Sequence, residues 1–233
     1  MKRLLEPLLG FYRPIMLVMV CAIVGVAFLG GACSETDFNR GLVLKASDRA
    51  HPIELHDQFG RSVALSEYGG KVVVLTFLYT SCLDVCPLVT GNLKKTYELL
   101  GNDVGQVRFL AVSVDPDRDT VQRAYDYSKQ RDMLQKWAFL VGDQRELAPI
   151  WEAYYVDPTI ARHSHEETRS NTIQSKLRAN NGVESSSDTA VSKHEISHST
   201  PVYLIDRHGL MRTMFTMPMD PKDIVHDIKL LLQ

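Results

Sequence analysis

The distribution of apolar and polar residues predicts a domain in which strands and helices alternate along the chain. Three nearly continuous apolar runs, rich in valine and leucine, are typical of strands that a sheet buries on both faces. These runs are KVVVLTFLY (71–79), VRFLAVSV (107–114) and WAFLVG (137–142). Two later runs, 202–206 and 210–216, flank the turn sequence RHG and predict a hairpin.

Segments with apolar residues at helical spacing complete the pattern. They span 88–100, 119–131, 143–155 and the C-terminal 220–233. Asp220 followed by Pro221 is a typical start for the last of them. An alternating stretch around Phe59 and Gly60 predicts a further short hairpin. Strands alternating with helices, followed by a hairpin and a final helix, predict an α/β domain of packed layers.

An uncharged run at 14–32 precedes this domain and is about long enough to cross a bilayer. Because Lys2, Arg3 and Arg13 stand before it, the positive-inside bias places the domain on the extracytoplasmic, periplasmic side of the membrane. The run ends in FLGGAC, which resembles a lipoprotein cleavage box with Cys33 as the lipid-attachment residue. An uncleaved transmembrane anchor and a lipoprotein are the two alternatives, and both give a membrane-anchored domain.

These patterns divide the chain into three parts. Residues 1–33 are the anchor or lipoprotein signal, 34–50 a polar linker, and 51–233 the α/β domain. Within the domain, 160–195 has no aromatic residue and is rich in Ser, Asn, Thr and Glu, which predicts a long polar loop. The loop contains His163, His165 and His194, for which solvation is expected and accessory metal contacts are the alternative.

Two cysteines, Cys82 and Cys86, lie in TSCLDVCP, where the first buried strand passes into a helix. On a helix such a spacing separates the Cβ atoms by about 5–6 Å. Two thiolates at that distance reach one metal ion, or close a disulfide if the turn tightens. A helix N-terminus lowers a thiol pKa, and both a nucleophile and a metal ligand need the thiolate. The spacing therefore indicates thiol chemistry or metal binding without separating them.

A metal site would need a third ligand, and the candidate is His198, in the loop before the strand at 202–206. Two thiolates and one imidazole suit copper and disfavour magnesium or calcium. Zinc would require a fourth ligand or a water molecule. A single loop histidine is otherwise a solvated or structural residue, so the assignment depends on the fold bringing it to the cysteines.

Two further features stand near the cysteines in the predicted fold. In SVDPDRDT, the sequence predicts a turn at Asp115 and a helix cap at Asp119 or Thr120. The alternative is an acidic rim in which Asp115 and Asp119 are accessory residues that tune the metal or meet a partner. Pro201 either only begins a strand or takes the place of the cis-proline that faces the cysteines in thioredoxins, which would favour disulfide chemistry.

Length and charge add two constraints. The 233 residues suffice for one globular domain with an extension. The formal net charge is −2 and the sequence has no basic stripe, so nucleic acid is not an expected partner.

Three motifs together resemble the SCO/SenC family: TSCLDVCP, SVDPDRDT and a histidine ahead of VYLID. Members of this family are membrane-anchored, thioredoxin-fold copper proteins that help to assemble cytochrome c oxidase. The resemblance implies a thioredoxin-like fold, with a central mixed sheet flanked by helices, and copper as Cu(I) or Cu(II) on Cys82, Cys86 and His198. It also implies delivery of copper to the binuclear copper centre of the oxidase, or maintenance of the cysteines there. The implied partner is the copper-bearing oxidase subunit or another copper chaperone.

Three other functions are alternatives to a metallochaperone, which is not an enzyme. An extracytoplasmic thiol–disulfide oxidoreductase would use the Cys82 and Cys86 pair to attack a partner disulfide and would not need His198. A peroxidase is disfavoured because Tyr79, rather than threonine, stands three residues before Cys82. A sensor of copper or redox state is the last alternative.

Overall fold

The computed structural model describes residues 40–45, 48–158 and 200–233. The predicted anchor or signal with Cys33, the loop at 160–195 with its histidines, and His198 lie outside these residues. Within the described ranges, no helix has the length and apolar character needed to span a bilayer.

The described residues form eight strands in two sheets. The strands are β1 Leu42–Val43, β2 Glu54–His56, β3 Ser62–Ala64, β4 Val72–Leu78, β5 Val107–Ser113, β6 Ala138–Leu140, β7 Val202–Ile205 and β8 Met211–Phe215. The larger sheet has the order β1-β8-β7-β4-β5-β6. In it β4, β5 and β6 are parallel, whereas β7, β8 and β1 add antiparallel pairs. Strands β2 and β3 form a separate hairpin. Together with the antiparallel β7–β8 pair and the mixed larger sheet, this confirms both predicted hairpins and the predicted mixed sheet.

Within the described ranges, four α-helices flank the larger sheet. They are α1 Val85–Leu100, α2 Val121–Gln130, α3 Gln144–Ala153 and α4 Pro221–Leu232. Helix α1 begins before the apolar pattern at 88–100, and Cys86 and Pro87 lie in its first turn, where proline is tolerated. Thr120, not Asp119, caps α2 and accepts a hydrogen bond from the Arg123 backbone N–H at 3.2 Å. Asp220 caps α4 as predicted.

The central strand β4 places a hydrophobic core on each face of the sheet. All seven of its side chains are buried. Because successive side chains point to opposite faces, Val72 and Val74 belong to one core and Val73 and Leu75 to the other. The first core includes buried residues of α1, α2 and α4, together with both cysteines, and the second includes residues of α3 and the β2–β3 hairpin.

The N-terminal edge of the domain begins inside the predicted linker. Leu42 and Val43 pair with β8, and the Gly41 N–H donates a hydrogen bond to Asp227 in α4 at 3.3 Å. Arg40 forms a salt bridge with Asp223 in the same helix at 3.3 Å. This part of the 34–50 segment therefore belongs to the domain. A strand of only two residues is too short to give a periodic signal in the sequence.

Asp227 yields a prediction about stability. Its side chain is buried, and its Oδ1 has no hydrogen-bond partner. Burial raises the pKa of Asp227 to about 6, so the folded state binds a proton that the unfolded state, with an ordinary Asp pKa of about 3.9, has already lost. This contribution to stability is present at low pH and is lost as the pH rises through 6. At neutral pH we expect the free energy of unfolding of Asp227→Asn to be about 1 kcal/mol higher than that of the wild type.

Denaturant titrations of both proteins at neutral pH and near pH 4 measure this difference. The advantage of Asp227→Asn should shrink on acidification, when the wild-type carboxyl is protonated. Asp223→Asn, in the same helix but on a more exposed salt-bridged carboxylate, is the matched control. An advantage that grows on acidification would contradict the assignment.

Candidate metal and thiol site

The two cysteines lie at the carboxyl end of β4, in and just after the turn that leads into α1. Cys82 stands in that turn, and its N–H donates a hydrogen bond to the Tyr79 carbonyl at 3.3 Å. The N-cap of α1 is Asp84, so Cys86 lies in the first turn of the helix and Cys82 precedes it. The helical i, i+4 geometry expected from the spacing therefore does not hold for Cys82. The turn instead brings the two side chains together.

Both thiols are buried and in contact, and no disulfide joins them. The Cys86 backbone N–H donates a hydrogen bond to the Cys82 Sγ at 3.4 Å, and the two thiols hydrogen-bond to each other. The exposed fraction is 4% for Cys82 and 1% for Cys86. The two sulfurs are therefore positioned to bind one metal ion or to close a disulfide.

The contact makes the two thiols electrostatically unequal. The hydrogen bond from the Cys86 thiol, supported by the backbone N–H groups of Cys86 and Asp84, lowers the pKa of Cys82 to about 5. The same bond, the burial of Cys86 and the negative charge on Cys82 raise the pKa of Cys86 above its ordinary value. The contact therefore favours the charged form at Cys82 and the protonated form at Cys86.

The two predicted accessory aspartates are buried near the cysteine turn, and Asp119 contacts that turn directly. Asp119 is buried and accepts hydrogen bonds from the Thr80 N–H at 3.1 Å, the Thr80 hydroxyl at 2.6 Å and the Ser113 hydroxyl at 2.6 Å. Asp115 is also buried and forms a salt bridge with Arg118 at 2.6 Å. Asp119 thus joins the β4–α1 turn to the β5–α2 loop, and an accessory role of Asp115 and Asp119 stays a prediction.

A second set of contacts lies behind Cys86 and was not predicted from the sequence. The Thr90 hydroxyl donates to the Cys86 carbonyl at 2.8 Å and lies 2.9 Å from the Tyr127 hydroxyl. Burial raises the pKa of Tyr127 to about 12, so its hydroxyl stays neutral. The i+4 spacing from Cys86 to Thr90 was a signal for the first contact. No local pattern links Tyr127 on α2 to this position.

The described residues supply two of the three predicted ligands. No group of three or more His, Cys, Asp or Glu side chains within 40–45, 48–158 and 200–233 is arranged to hold a metal ion. His198 lies two residues before Thr200, where the described chain resumes ahead of β7. Pro201 enters β7 through a trans peptide bond, since the cis bond of the described chain is Met217–Pro218. The thioredoxin-like cis-proline considered for Pro201 is therefore not found.

Comparison with known proteins identifies the family. The SCO1/SenC family model matches residues 44–233. The chain belongs to the SCO1/SenC family. An SCO2-like protein of Rickettsia prowazekii is 25% identical over 178 residues, covering 76% of this chain and 74% of the relative. The family resemblance stated from the motifs is thus confirmed.

Solved structures agree with this assignment and with the predicted fold. The copper-bound structure of ScoI from Bradyrhizobium japonicum is 25% identical and has a TM-score of 0.55, covering 78% of this chain and 98% of that one. The thioredoxin domain of a thiol-disulfide oxidoreductase from Bacteroides vulgatus, 16% identical, has a TM-score of 0.52 and covers 82% of this chain and 99% of that one. The SCO1/SenC domain of this chain is therefore thioredoxin-like, as predicted.

The unequal thiols predict a pH titration in the metal-free, reduced protein. We expect the ultraviolet absorbance of one thiolate to appear with a midpoint near pH 5, because the Cys86 hydrogen bonds stabilise the charged form of Cys82. Cys82→Ser should abolish this step, whereas Cys86→Ser should move its midpoint up towards the ordinary cysteine value. A single step near the ordinary value in the wild type would contradict the contact.

Asp119 yields a second prediction. Asp119→Ala leaves three donors on Thr80 and Ser113 without their acceptor, and buried unpaired donors are unfavourable. We expect the free energy of unfolding to fall by about 2–3 kcal/mol. The midpoint of the Cys82 titration should rise as the turn loosens. Asp117→Ala, on the exposed part of the same loop, is the control in both measurements, and equal effects of the two variants would contradict the contact of Asp119 with the turn.

Proposed function

We propose that this SCO1/SenC protein binds one copper ion through Cys82, Cys86 and His198. It delivers the ion to the binuclear copper centre of cytochrome c oxidase during assembly, or keeps the cysteines of that centre reduced. The observation that carries the proposal is the pair of buried thiols brought into contact at the carboxyl end of β4, where the Cys86 N–H donates to the Cys82 Sγ at 3.4 Å. The partner is the copper-bearing oxidase subunit or another copper chaperone.

The chemistry of the donor set supports copper. Thiolates are soft ligands that select Cu(I), and an added imidazole also suits Cu(II). The buried surroundings of the pair favour a metal–thiolate bond over a hydrated ion. Copper-bound ScoI from Bradyrhizobium japonicum, at 25% identity, is a related protein in which a copper complex has been seen.

Release of the ion would proceed by ligand exchange. With two sulfurs and one imidazole, a partner thiolate can add to the metal before a resident ligand leaves, so the ion is never free in solution. Oxidation of the pair to the Cys82–Cys86 disulfide would remove both sulfur ligands and prevent binding, which couples copper loading to the redox state of the site.

The membrane tether belongs to the same proposal. The apolar run at 14–32, as an uncleaved anchor or as a signal that leaves a lipidated Cys33, would hold residues 51–233 on the periplasmic side. This position gives access to the copper-bearing part of a membrane-bound oxidase.

A second candidate function is thiol–disulfide exchange, and the unequal thiols favour it. Cys82, as the thiolate, would attack a partner disulfide, and Cys86 would then resolve the mixed disulfide. This reaction needs no third ligand, so His198 separates the two candidates.

The proposal is tested by measuring how many copper ions the full chain binds. The protein is kept in detergent, fully reduced and without oxygen, and Cys21 and Cys33 are replaced by serine. We expect one tightly bound copper ion, lost in Cys82→Ser and Cys86→Ser and held much more weakly in His198→Ala. His165→Ala is the matched control and should bind as the wild type does. Binding that is indifferent to His198→Ala, with disulfide exchange intact, would favour the oxidoreductase.

A further inference from the structure

Methionines are concentrated in and just after strand β8. Four of the eight methionines of the chain are Met211, Met214, Met217 and Met219. All four are half-buried, whereas Met133 in the first core is completely buried. Methionine is one of the residues most often found fully inside a protein. The partial exposure of four thioethers in one short segment therefore needs a reason.

A bulge in β8 places two of these methionines on the same face of the sheet. Tyr203 of β7 pairs with Met214 and Ile205 pairs with Met211, so one extra residue, Arg212, stands in β8. Side chains alternate along a strand, so without the bulge Met211 and Met214 would point to opposite faces. With it, both pack beside the second core. Bulges are common next to functional sites, where they redirect a side chain.

Met211 and Met214 also line one cavity. The cavity has a volume of about 340 Å³, and its wall includes Tyr154 and Tyr203. The Tyr203 hydroxyl donates a hydrogen bond to the Tyr154 carbonyl at 2.7 Å, and the Tyr154 hydroxyl donates to the His51 carbonyl at 3.1 Å. Because both hydroxyl groups already donate to carbonyls, the two thioethers are the soft ligands that this wall offers.

The spacing of the two methionines allows both sulfurs to reach one ion. Their partners Tyr203 and Ile205 are two residues apart on a strand, which separates Met214 from Met211 by roughly 7 Å along the sheet. Metal–sulfur bonds of about 2.3 Å allow two sulfurs on one ion to lie up to about 4.6 Å apart. Methionine side chains are unbranched and flexible, so two of them on one face can close this difference.

We propose that Met211 and Met214 form a second metal site, in which two thioethers bind one Cu(I) ion. Thioethers are soft ligands that select Cu(I), whereas magnesium and calcium prefer oxygen ligands. The second core, beside which this site lies, is on the face of the sheet opposite the core that contains Cys82 and Cys86. Binding at Met211 and Met214 does not depend on copper binding at the thiols.

The methionine pair differs from the cysteine pair in two chemical respects. A thioether has no proton to lose when it binds a metal, whereas thiol and imidazole ligands compete with protons. A thioether also forms no disulfide, so oxidation of Cys82 and Cys86 leaves Met211 and Met214 unchanged. The second site would therefore hold Cu(I) at low pH and in the oxidised protein, when the thiols cannot bind it.

Methyl NMR of the full chain in detergent tests the site directly. The methionine methyl groups are labelled with ¹³C, and Cys21, Cys33, Cys82 and Cys86 are replaced by serine. Cu(I) is added without oxygen, and Ag(I) serves as a redox-stable substitute with the same preference for sulfur. We expect the methyl signals of Met211 and Met214 to shift together and to saturate with one bound ion, while the signal of Met219 stays in place.

Two variants of nearly unchanged volume identify the ligands. Met211→Leu and Met214→Leu should each lower the affinity for Cu(I) by about tenfold or more, because loss of a second-shell partner alone costs 10–100-fold. The methyl signal of the remaining methionine reports occupancy in competition with a Cu(I) chelator. Met219→Leu, in the same segment, is the matched control and should bind as the parent protein does. The affinity should be the same from about pH 6 to pH 8.

A protein that retains Cys82 and Cys86 separates this inference from the proposed function. If the thiols bind copper, the signals of Met211 and Met214 should shift only with the second equivalent of Cu(I). If the thiols bind none, the proposed function fails, and the two signals should shift with the first equivalent. This measurement also applies if replacement of the buried cysteines prevents folding.

Three results would overturn the inference. The first is that excess Cu(I) and Ag(I) leave the methyl signals of Met211 and Met214 in place. The second is an affinity that Met211→Leu and Met214→Leu do not change. The third is an affinity that falls on acidification, because it would assign the ion to ligands that titrate.

Discussion

The burial of β4 on both faces is the constraint from which the site follows. A strand with no exposed side chain has to lie in the middle of the sheet, with a helical layer above and below it. Its carboxyl end must then leave the sheet between neighbouring strands and enter a helix within a few residues. The two cysteines meet in this short β4–α1 turn. Because the turn lies at the edge of the core, core residues pack on one side of the cysteines and loop residues on the other.

Within this turn, two opposing effects set the chemistry of the sulfurs. Burial disfavours a charged thiolate, whereas hydrogen bonds to one sulfur favour it. The hydrogen bonds prevail at Cys82, and burial next to that negative charge prevails at Cys86. A pair of this kind suits both metal binding and disulfide exchange, so the proposed ligand His198 is the residue that separates the two candidate functions.

The sequence was informative where a signal is local and repeated. Long apolar runs identified β4 and β5, and the spacing of Cys82 and Cys86 identified the reactive pair. It was less informative where a signal is short or depends on distant residues. The apolar pattern of α1 becomes visible only at Leu88, so it does not mark the first turn of the helix, which starts at Val85.

Long-range hydrogen bonds account for the other differences. The sequence left Asp119 and Thr120 as alternatives for the helix cap, and Thr120 has that role because the Asp119 side chain turns inwards to Thr80 in the β4–α1 turn. The contact between Thr90 and Tyr127 joins two helices that are far apart in the sequence. Such pairs arise from packing, so a single sequence contains little information about them.

The edges of the sheet have a consequence for how the protein behaves in solution. Its two outer strands, β1 and β6, contain only two and three residues. Long, flat edges offer rows of unpaired N–H and C=O groups to other chains and promote aggregation, whereas short edges offer few. A domain whose outer strands are this short is therefore protected from one common route of self-association, although it exposes large apolar side chains such as Leu83 and Tyr155.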